Sequence, residues 1–288
     1  MKVDGGPLES ERFLVTGRRG DPGYFRFEER SELRPEPIVD ILHGRLAGVI
    51  FRGVVSEAVR AELTARFQRS PARRRRGPAA PGEYVGAYHA GKGIDQYLDD
   101  AAAVEASLRR ILDLPGDPLT ALRRGVAAAL AEEGVDFRTA RHGDREAGLA
   151  ILRSWRGQGA FALAPHDDIG QCCAPEQDGF EIQRVGDHQV VALNMCLANG
   201  AGGRLFLWNV QPDLASRKRL GVEFWGVPYP VECLDGIELI SLDVNPGDIY
   251  LFNGRHVHAV EAGADTSLRL TLSSLLGFID AKTVVSWT

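Results

Sequence analysis

The second half of the chain is a succession of short apolar runs broken by turn residues. Residues 148–155 (GLAILRSW), 160–166 (AFALAPH), 188–198 (HQVVALNMCLA), 202–209 (GGRLFLWN), 237–244 (IELISLDV), 247–253 (GDIYLFN), 255–260 (RHVHAV) and 268–278 (LRLTLSSLLGF) each read as a strand, with Gly, Pro, Asn and Asp between them. Closely spaced short strands of this kind predict a sandwich, barrel or jelly roll rather than a parallel βαβ sheet. The first half has a different periodicity. Residues 38–51 suit a short helix followed by the strand LAGVIFRG, and Ser56 is placed to cap a helix over EAVRAELTARFQ. Two Ala- and Leu-rich segments with helical spacing, 101–112 and 119–133, are separated by the breaker LPGDP. The expected architecture is an all-β core with flanking helices, a double-stranded β-helix (jelly roll, cupin-like). Helical support over about residues 38–135 and a core over about 136–288 make one domain.

Residues 1–37 are rich in Gly, Pro, Glu and Arg and predict an irregular arm with one short strand near Tyr24–Phe27. Residues 83–97, EYVGAYHAGKGIDQY, mix aromatics, glycines, a histidine and a lysine, as a pocket-lining loop does. The connection from Gln211 to Gly236 is too long for a hairpin loop and carries FWGVPYP, which makes it a candidate lid.

Composition narrows the partners. At 288 residues the chain is long enough to bury a substantial core. Its formal net charge of -5 argues against nucleic acid or an anionic membrane as the main partner. No apolar run reaches the length of a membrane span, and the N-terminus has charges and glycines where a signal peptide needs an apolar stretch, so a cytoplasmic protein is expected. Cys172, Cys173, Cys196 and Cys233 have neither zinc spacing nor the density of a disulfide framework and read as reduced thiols. The basic run Arg73–Arg76 reads as a solvated loop, unless the substrate carries a nucleotide.

The candidate chemistry lies in PHDDIG and in the stretch from Asn245 to Thr271. His166 and Asp168 are two residues apart, so in an extended segment they share a face while Asp167 points away. A third ligand must come from another strand, where His256 and His258 are available. His258 is the better choice because Arg269, in Arg-Leu-Thr, follows eleven positions later. Two imidazoles and one carboxylate form the facial set that leaves adjacent octahedral positions open, as non-haem Fe(II) oxygenases require. A zinc hydrolase also needs three protein ligands but has no use for a buried arginine beside the metal. Arg269 with the Thr271 hydroxyl matches the distal carboxylate of 2-oxoglutarate.

This pattern resembles the Fe(II)/2-oxoglutarate dioxygenase superfamily. The order LHGRLAGVIFRGVVSEAV, IDQYLDDAA, GGRLFLWN, NPGDIYLFNGRHVHAV, SLRLTLSSLLGF and VVSWT resembles its carrier-independent branch of N-succinyl amino acid hydroxylases and welwitindolinone-type halogenases. The resemblance implies Fe(II), 2-oxoglutarate and O2, conversion of 2-oxoglutarate to succinate and CO2, and oxidation of an unactivated C–H bond without a carrier protein. In the halogenases a small residue replaces the metal-binding acid. Asp168 is present here, so hydroxylation is expected. Arg153 resembles an arginine kept near the co-substrate or substrate and, with Asn194, is expected at 2-oxoglutarate. Tyr88, His89, Lys92, Trp208, Phe224, Trp225 and His256 are expected to line the substrate pocket, which suits an amino-acid derivative, an alkaloid or a nucleoside. The same machinery also performs desaturation, epimerisation and ring closure. A non-catalytic small-molecule binder on the same β-scaffold is the alternative from another class.

Overall fold

The structure is a computed structural model that describes residues 14–77, 82–155, 160–263 and 268–288. The start of the expected N-terminal arm, residues 1–13, and residues 264–267 inside the candidate stretch lie outside the described residues.

Two sheets organise the chain. The smaller has the strand order Phe161–His166, His258–Glu261, Leu205–Trp208, Leu239–Leu242. The larger runs Phe27–Arg30, Gly48–Phe51, Ile249–Asn253, Val190–Ala198, Arg269–Asp280, Ile151–Trp155, Glu83–Val85, Arg74–Arg75. At its side Thr283–Trp287 pairs antiparallel with Arg269–Asp280, and Asp136–Thr139 runs parallel to Thr283–Trp287. Each of the eight apolar runs of the second half contributes one of these strands.

Alternation along the strands decides what each face meets. In Val190–Ala198 the side chains of Val191, Leu193, Met195 and Leu197 belong to one apolar cluster with four helices: α1 (Glu36–Leu42), α2 (Glu57–Arg69), α3 (Ile94–Leu112) and α4 (Pro118–Glu132). Ala192 and Cys196 point the other way and pack with Leu205 and Leu207 of the smaller sheet and with Tyr250 and Phe252. The helices therefore cover the outer face of the larger sheet, and the space between the sheets is left for chemistry.

Local signals explain most helix starts. Ser56 accepts from the Val59 amide at 3.4 Å, and Asp117 accepts from Leu119 and Thr120 at 3.0 and 3.3 Å. Helix α3 begins seven residues before the expected Ala101, because Gly93 precedes it with no side-chain cap to betray the boundary. The segment expected as a pocket loop, residues 83–97, thus divides into a strand paired on both sides, a loop and the first turn of α3. Residues 14–37 are more ordered than an irregular arm: Val15 and Phe25 are buried, Gly17–Arg18 pairs with Gln211–Pro212, and the short strand falls at Phe27–Arg30. No helix among the described residues is long and apolar enough to cross a membrane.

Candidate metal and co-substrate site

His166 ends its strand directly opposite His258, its Cα partner in the antiparallel pair Phe161–His166 and His258–Glu261. A register shift between Leu163 and His166 accompanies this pairing. The two imidazole centroids are 4.0 Å apart. The Asp168 carboxylate reaches both, with its oxygens 3.9 Å from His166 Nε2 and 3.6 Å from His258 Nε2. All three side chains are buried, and one ligand atom from each lies within 4.8 Å of the others. One ion spans this with small side-chain movements, since first-row metal–ligand bonds are about 2.0–2.2 Å.

The protonation pattern follows from the surroundings. His166 Nδ1 donates to the Ala164 carbonyl at 2.8 Å and His258 Nδ1 to the His256 carbonyl at 2.9 Å, which leaves both Nε2 lone pairs facing Asp168. Burial holds the imidazoles neutral, pushing His166 down to about 3 and His258 to about 4. Burial raises Asp168. Two neutral donors and a carboxylate short of counter-charge are a set that a cation completes.

Asp168 fits because Gly254 leaves room for it: a Cβ there would run into the carboxylate. The Asp168 amide also donates to the Gly254 carbonyl at 2.8 Å. Asp167, its neighbour, is fully buried on the other side. It accepts from Tyr229 Oη at 2.5 Å and from the Gly170 amide at 2.7 Å, and burial pushes it up to about 6. Tyr229 belongs to the long connection from residue 211 to 236, whose Gly226 carbonyl accepts from the Asp167 amide at 2.9 Å. Gly226 has φ +62°, and a Cβ there would collide with Asp167. The candidate lid is therefore fastened to the residue next to Asp168.

These groups open on a cavity of about 220 Å³ between the sheets. Arg269 and Thr271 lie on its wall, on the same face of their strand. Arg269 Nη1 donates to the Gly203 carbonyl at 2.7 Å and to Asn199 Oδ1 at 3.1 Å, while its buried Nε has no partner among the described residues. Trp155 Nε1 donates to Thr271 Oγ1 at 3.2 Å. Asn194 faces the cavity and accepts from Ser273 Oγ at 2.8 Å.

Among curated proteins the chain is similar to an L-isoleucine 3(1)-dioxygenase of Pantoea ananatis (strain AJ13355). The two are 33% identical over 208 residues, 71% of this chain and 69% of the relative. The chain belongs to the Fe(II)/2-oxoglutarate-dependent dioxygenase superfamily. This dioxygenase matches no protein-family model. Its fold resembles the crystal structure of an N-substituted L-amino acid dioxygenase from Burkholderia ambifaria AMMD. That likeness has a TM-score of 0.57 at 16% identity and covers 88% of this chain and 91% of that one. The same protein in complex with alpha-KG gives a TM-score of 0.54 at 14% identity over the same shares. The cofactors of the dioxygenase are Fe(II), 2-oxoglutarate and O2. The buried His166, Asp168 and His258 fit the metal, and the orphaned Arg269 Nε beside the cavity fits a carboxylate of the co-substrate.

The substrate-pocket expectations divide. Tyr88, His89 and Trp225 line the cavity. Lys92 does not: it pairs with Asp100 at 2.9 Å and stacks on the Tyr88 ring at 3.7 Å. Trp208 is turned away, because alternation sends Leu205 and Leu207 inward and Trp208 into a separate cluster with Val15, Val210 and Val222. Phe224 projects toward solvent. His256 is packed, donating Nδ1 to the Trp208 carbonyl at 3.0 Å and meeting Tyr24 Oη with Nε2 at 3.0 Å. Arg153 lines the cavity with its Nε unpartnered. Sequence reasoning missed Arg76, which also lines the cavity although the rest of its basic run faces solvent.

Proposed function

We propose that this chain is a double-stranded β-helix hydroxylase that oxidises an unactivated C–H bond of a small free-standing molecule, an amino acid or amino-acid derivative of specialised metabolism. In this reading His166, Asp168 and His258 hold Fe(II). Arg269 and Thr271 hold the distal carboxylate of 2-oxoglutarate, and Asn194 lies beside it. The observation that carries the reading is the convergence of three buried ligand atoms within 4.8 Å on a cavity that also contains Arg269. The L-isoleucine dioxygenase relative supports an amino-acid substrate.

The bound iron supplies oxidation of the substrate coupled to conversion of 2-oxoglutarate into succinate and CO2. The residues of the chain supply positioning. Asp168 keeps one coordination position for the protein, and the histidines are presented in the tautomer that leaves Nε2 free. Arg269 fixes the direction from which 2-oxoglutarate enters, because its guanidinium is anchored on the Gly203 carbonyl before any ligand arrives. The buried walls exclude water from the reacting atoms.

The test is substrate-stimulated succinate formation with a product one oxygen heavier, lost in His166→Ala and in Asp168→Ala. A product lighter by two hydrogens would redirect the reading to desaturation or ring closure, and an isomer of unchanged mass to epimerisation. Undiminished turnover in both variants would end it.

A further inference from the structure

We infer that His89 Nε2 is a fixed hydrogen-bond acceptor in the cavity that selects substrates carrying an N–H or O–H group. This rests on the oxygenase reading and adds a requirement that the metal ligands and Arg269 do not impose: a donor on the substrate itself, placed against one imidazole.

The imidazole is held on several sides. His89 lies in the loop between the Glu83–Val85 strand and α3, and its amide donates to the Thr288 carbonyl at 3.0 Å. Its ring meets Tyr97 of α3 edge-on, with centroids 6.0 Å apart. The residue is buried, yet it lines the same cavity as His166, Asp168 and His258.

Gln177 sets the tautomer. This residue ends the short helix Pro175–Gln177, and its Nε2 donates to the His89 carbonyl at 2.7 Å and to the Lys92 carbonyl at 2.9 Å. Turning the amide over would set its oxygen against two carbonyls, so Oε1 is the atom that faces His89 Nδ1, at 3.0 Å. An amide oxygen accepts, and Nδ1 therefore carries the hydrogen. Burial, with Lys92 adding to it, lowers the ring to about 4 and keeps it neutral. Nε2 is left as a bare lone pair.

That lone pair has no partner among the described residues. Lys92 does not supply one, because its ammonium is held by Asp100 at 2.9 Å over the Tyr88 ring. The other histidines show what an imidazole does when it serves structure or metal. His256 has both nitrogens filled, by the Trp208 carbonyl and Tyr24 Oη. His166 and His258 anchor Nδ1 on a carbonyl and aim Nε2 at Asp168. His89 repeats their pattern but belongs to no metal-competent group among the described residues, so its open nitrogen suits a hydrogen rather than a cation. The remaining orphaned atoms on the cavity are Arg76 Nη1, Arg153 Nε and Arg269 Nε, the first two on guanidinium groups 4.7 and 5.1 Å from the Trp155 ring centroid. All three are donors. Of the cavity's orphaned atoms, His89 Nε2 is the one that a substrate donor can satisfy, and a substrate without such a group leaves it buried and unpaired.

Two measurements test this on full-length protein. In the first, the protein carries ring-15N histidine and is loaded with 2-oxoglutarate and Zn(II), a diamagnetic stand-in for iron. The His89 signals, assigned by their loss in His89→Asn, should show Nδ1 protonated and Nε2 unprotonated near neutral pH. In the second, calorimetry on protein loaded anaerobically with Fe(II) and 2-oxoglutarate compares L-isoleucine, L-leucine and their 2-hydroxy acid counterparts with the corresponding deaminated acids, which lack the donor. At least one donor-bearing acid should bind about 10- to 100-fold more tightly than its deaminated counterpart. His89→Asn keeps an N–H for Gln177 and removes the acceptor, so it should cut that preference to about 3-fold or less and leave the deaminated acid bound as before. Retention of the visible absorption of the Fe(II)–2-oxoglutarate complex reports that the variant is folded. A preference shown by the amino acids alone or by the hydroxy acids alone upholds the acceptor and names its donor. A protonated Nε2, a panel in which no donor-bearing acid outbinds its counterpart, or a preference that survives His89→Asn would overturn it. Absence of the absorption band in the wild type would strike the oxygenase reading instead.

Discussion

A Cβ at Gly254 would fall in the volume of the Asp168 carboxylate, 2.2 Å from one of its oxygens. The absence of a Cβ there is a requirement for the acid to stand beside His166 and His258. Gly254→Ala is therefore expected to lower Fe(II) affinity about 10- to 100-fold, the usual cost of misplacing a ligand's support, with secondary structure retained. Equilibrium metal binding followed by circular dichroism checks both halves. Wild-type affinity in the alanine variant would show that Asp168 has room to spare.

Arg269 should govern the co-substrate. Arg269→Ala is expected to raise the 2-oxoglutarate KM by about 30-fold or more, in line with about 2–3 kcal/mol for a buried charge-assisted pair. Arg269→Lys should recover only part of this, since an ammonium lacks the planar fork. Steady-state kinetics with varied 2-oxoglutarate decide it, and an unchanged KM would remove the role.

The Asp167–Tyr229 contact should contribute to stability. Tyr229→Phe leaves a buried carboxylate short of its 2.5 Å donor, with an expected loss of about 1.5–3 kcal/mol in urea unfolding. A midpoint and slope matching the wild type would mean that the connection 211–236 is held by other contacts.

His89 gives the metal-free protein a specific pH response. It is buried, its Nδ1 lies 3.0 Å from Gln177 Oε1, and Lys92 and Tyr97 are its other polar neighbours. Burial lowers it to about 4 from 6.5. The unfolded chain therefore binds more protons than the folded one between those values. Stability falls as pH drops through that window, by up to about 1.4 kcal/mol per pH unit from this group. His89→Asn should flatten the dependence of unfolding free energy on pH between about 4 and 6.5 by that slope. Parallel wild-type and variant curves would contradict the burial argument.

The core strands and the co-substrate pair were legible because both depend on period-two alternation, which a sequence displays directly. The Arg269–Thr271 pair falls on one face for that reason, whereas Asp168 comes after the strand has ended at His166 and is brought to the histidines by a bend whose amide donates to the Gly254 carbonyl. The substrate wall was less legible. Trp208 was expected inward on aromatic character, yet its parity is opposite to that of Leu205 and Leu207. His256 was expected on the pocket wall, but it precedes the strand and turns to the Trp208 carbonyl and Tyr24, a residue more than two hundred positions away. Arg76 looked like part of a solvated run. Its neighbours found Glu83 and Asp100, and it alone turned inward to Trp155, a tertiary contact with no local signature. The start of α3 and the pairing of Asp136–Thr139 with Thr283–Trp287 were hidden for similar reasons, the first for want of a capping side chain and the second because it joins segments far apart in the chain.

Asp167 and Asp168 are consecutive residues with opposite allegiances, one tied to the crossover through Tyr229 and Gly226 and the other turned to the histidines. A change that drags the crossover by its anchored end must also pull on the acid proposed for iron. Residues 211–225, upstream of the anchor, are not part of that link. Exchanging 211–225 with a relative while leaving 226–229 in place is expected to keep iron affinity, whereas an exchange that includes 226–229 is expected to lower it.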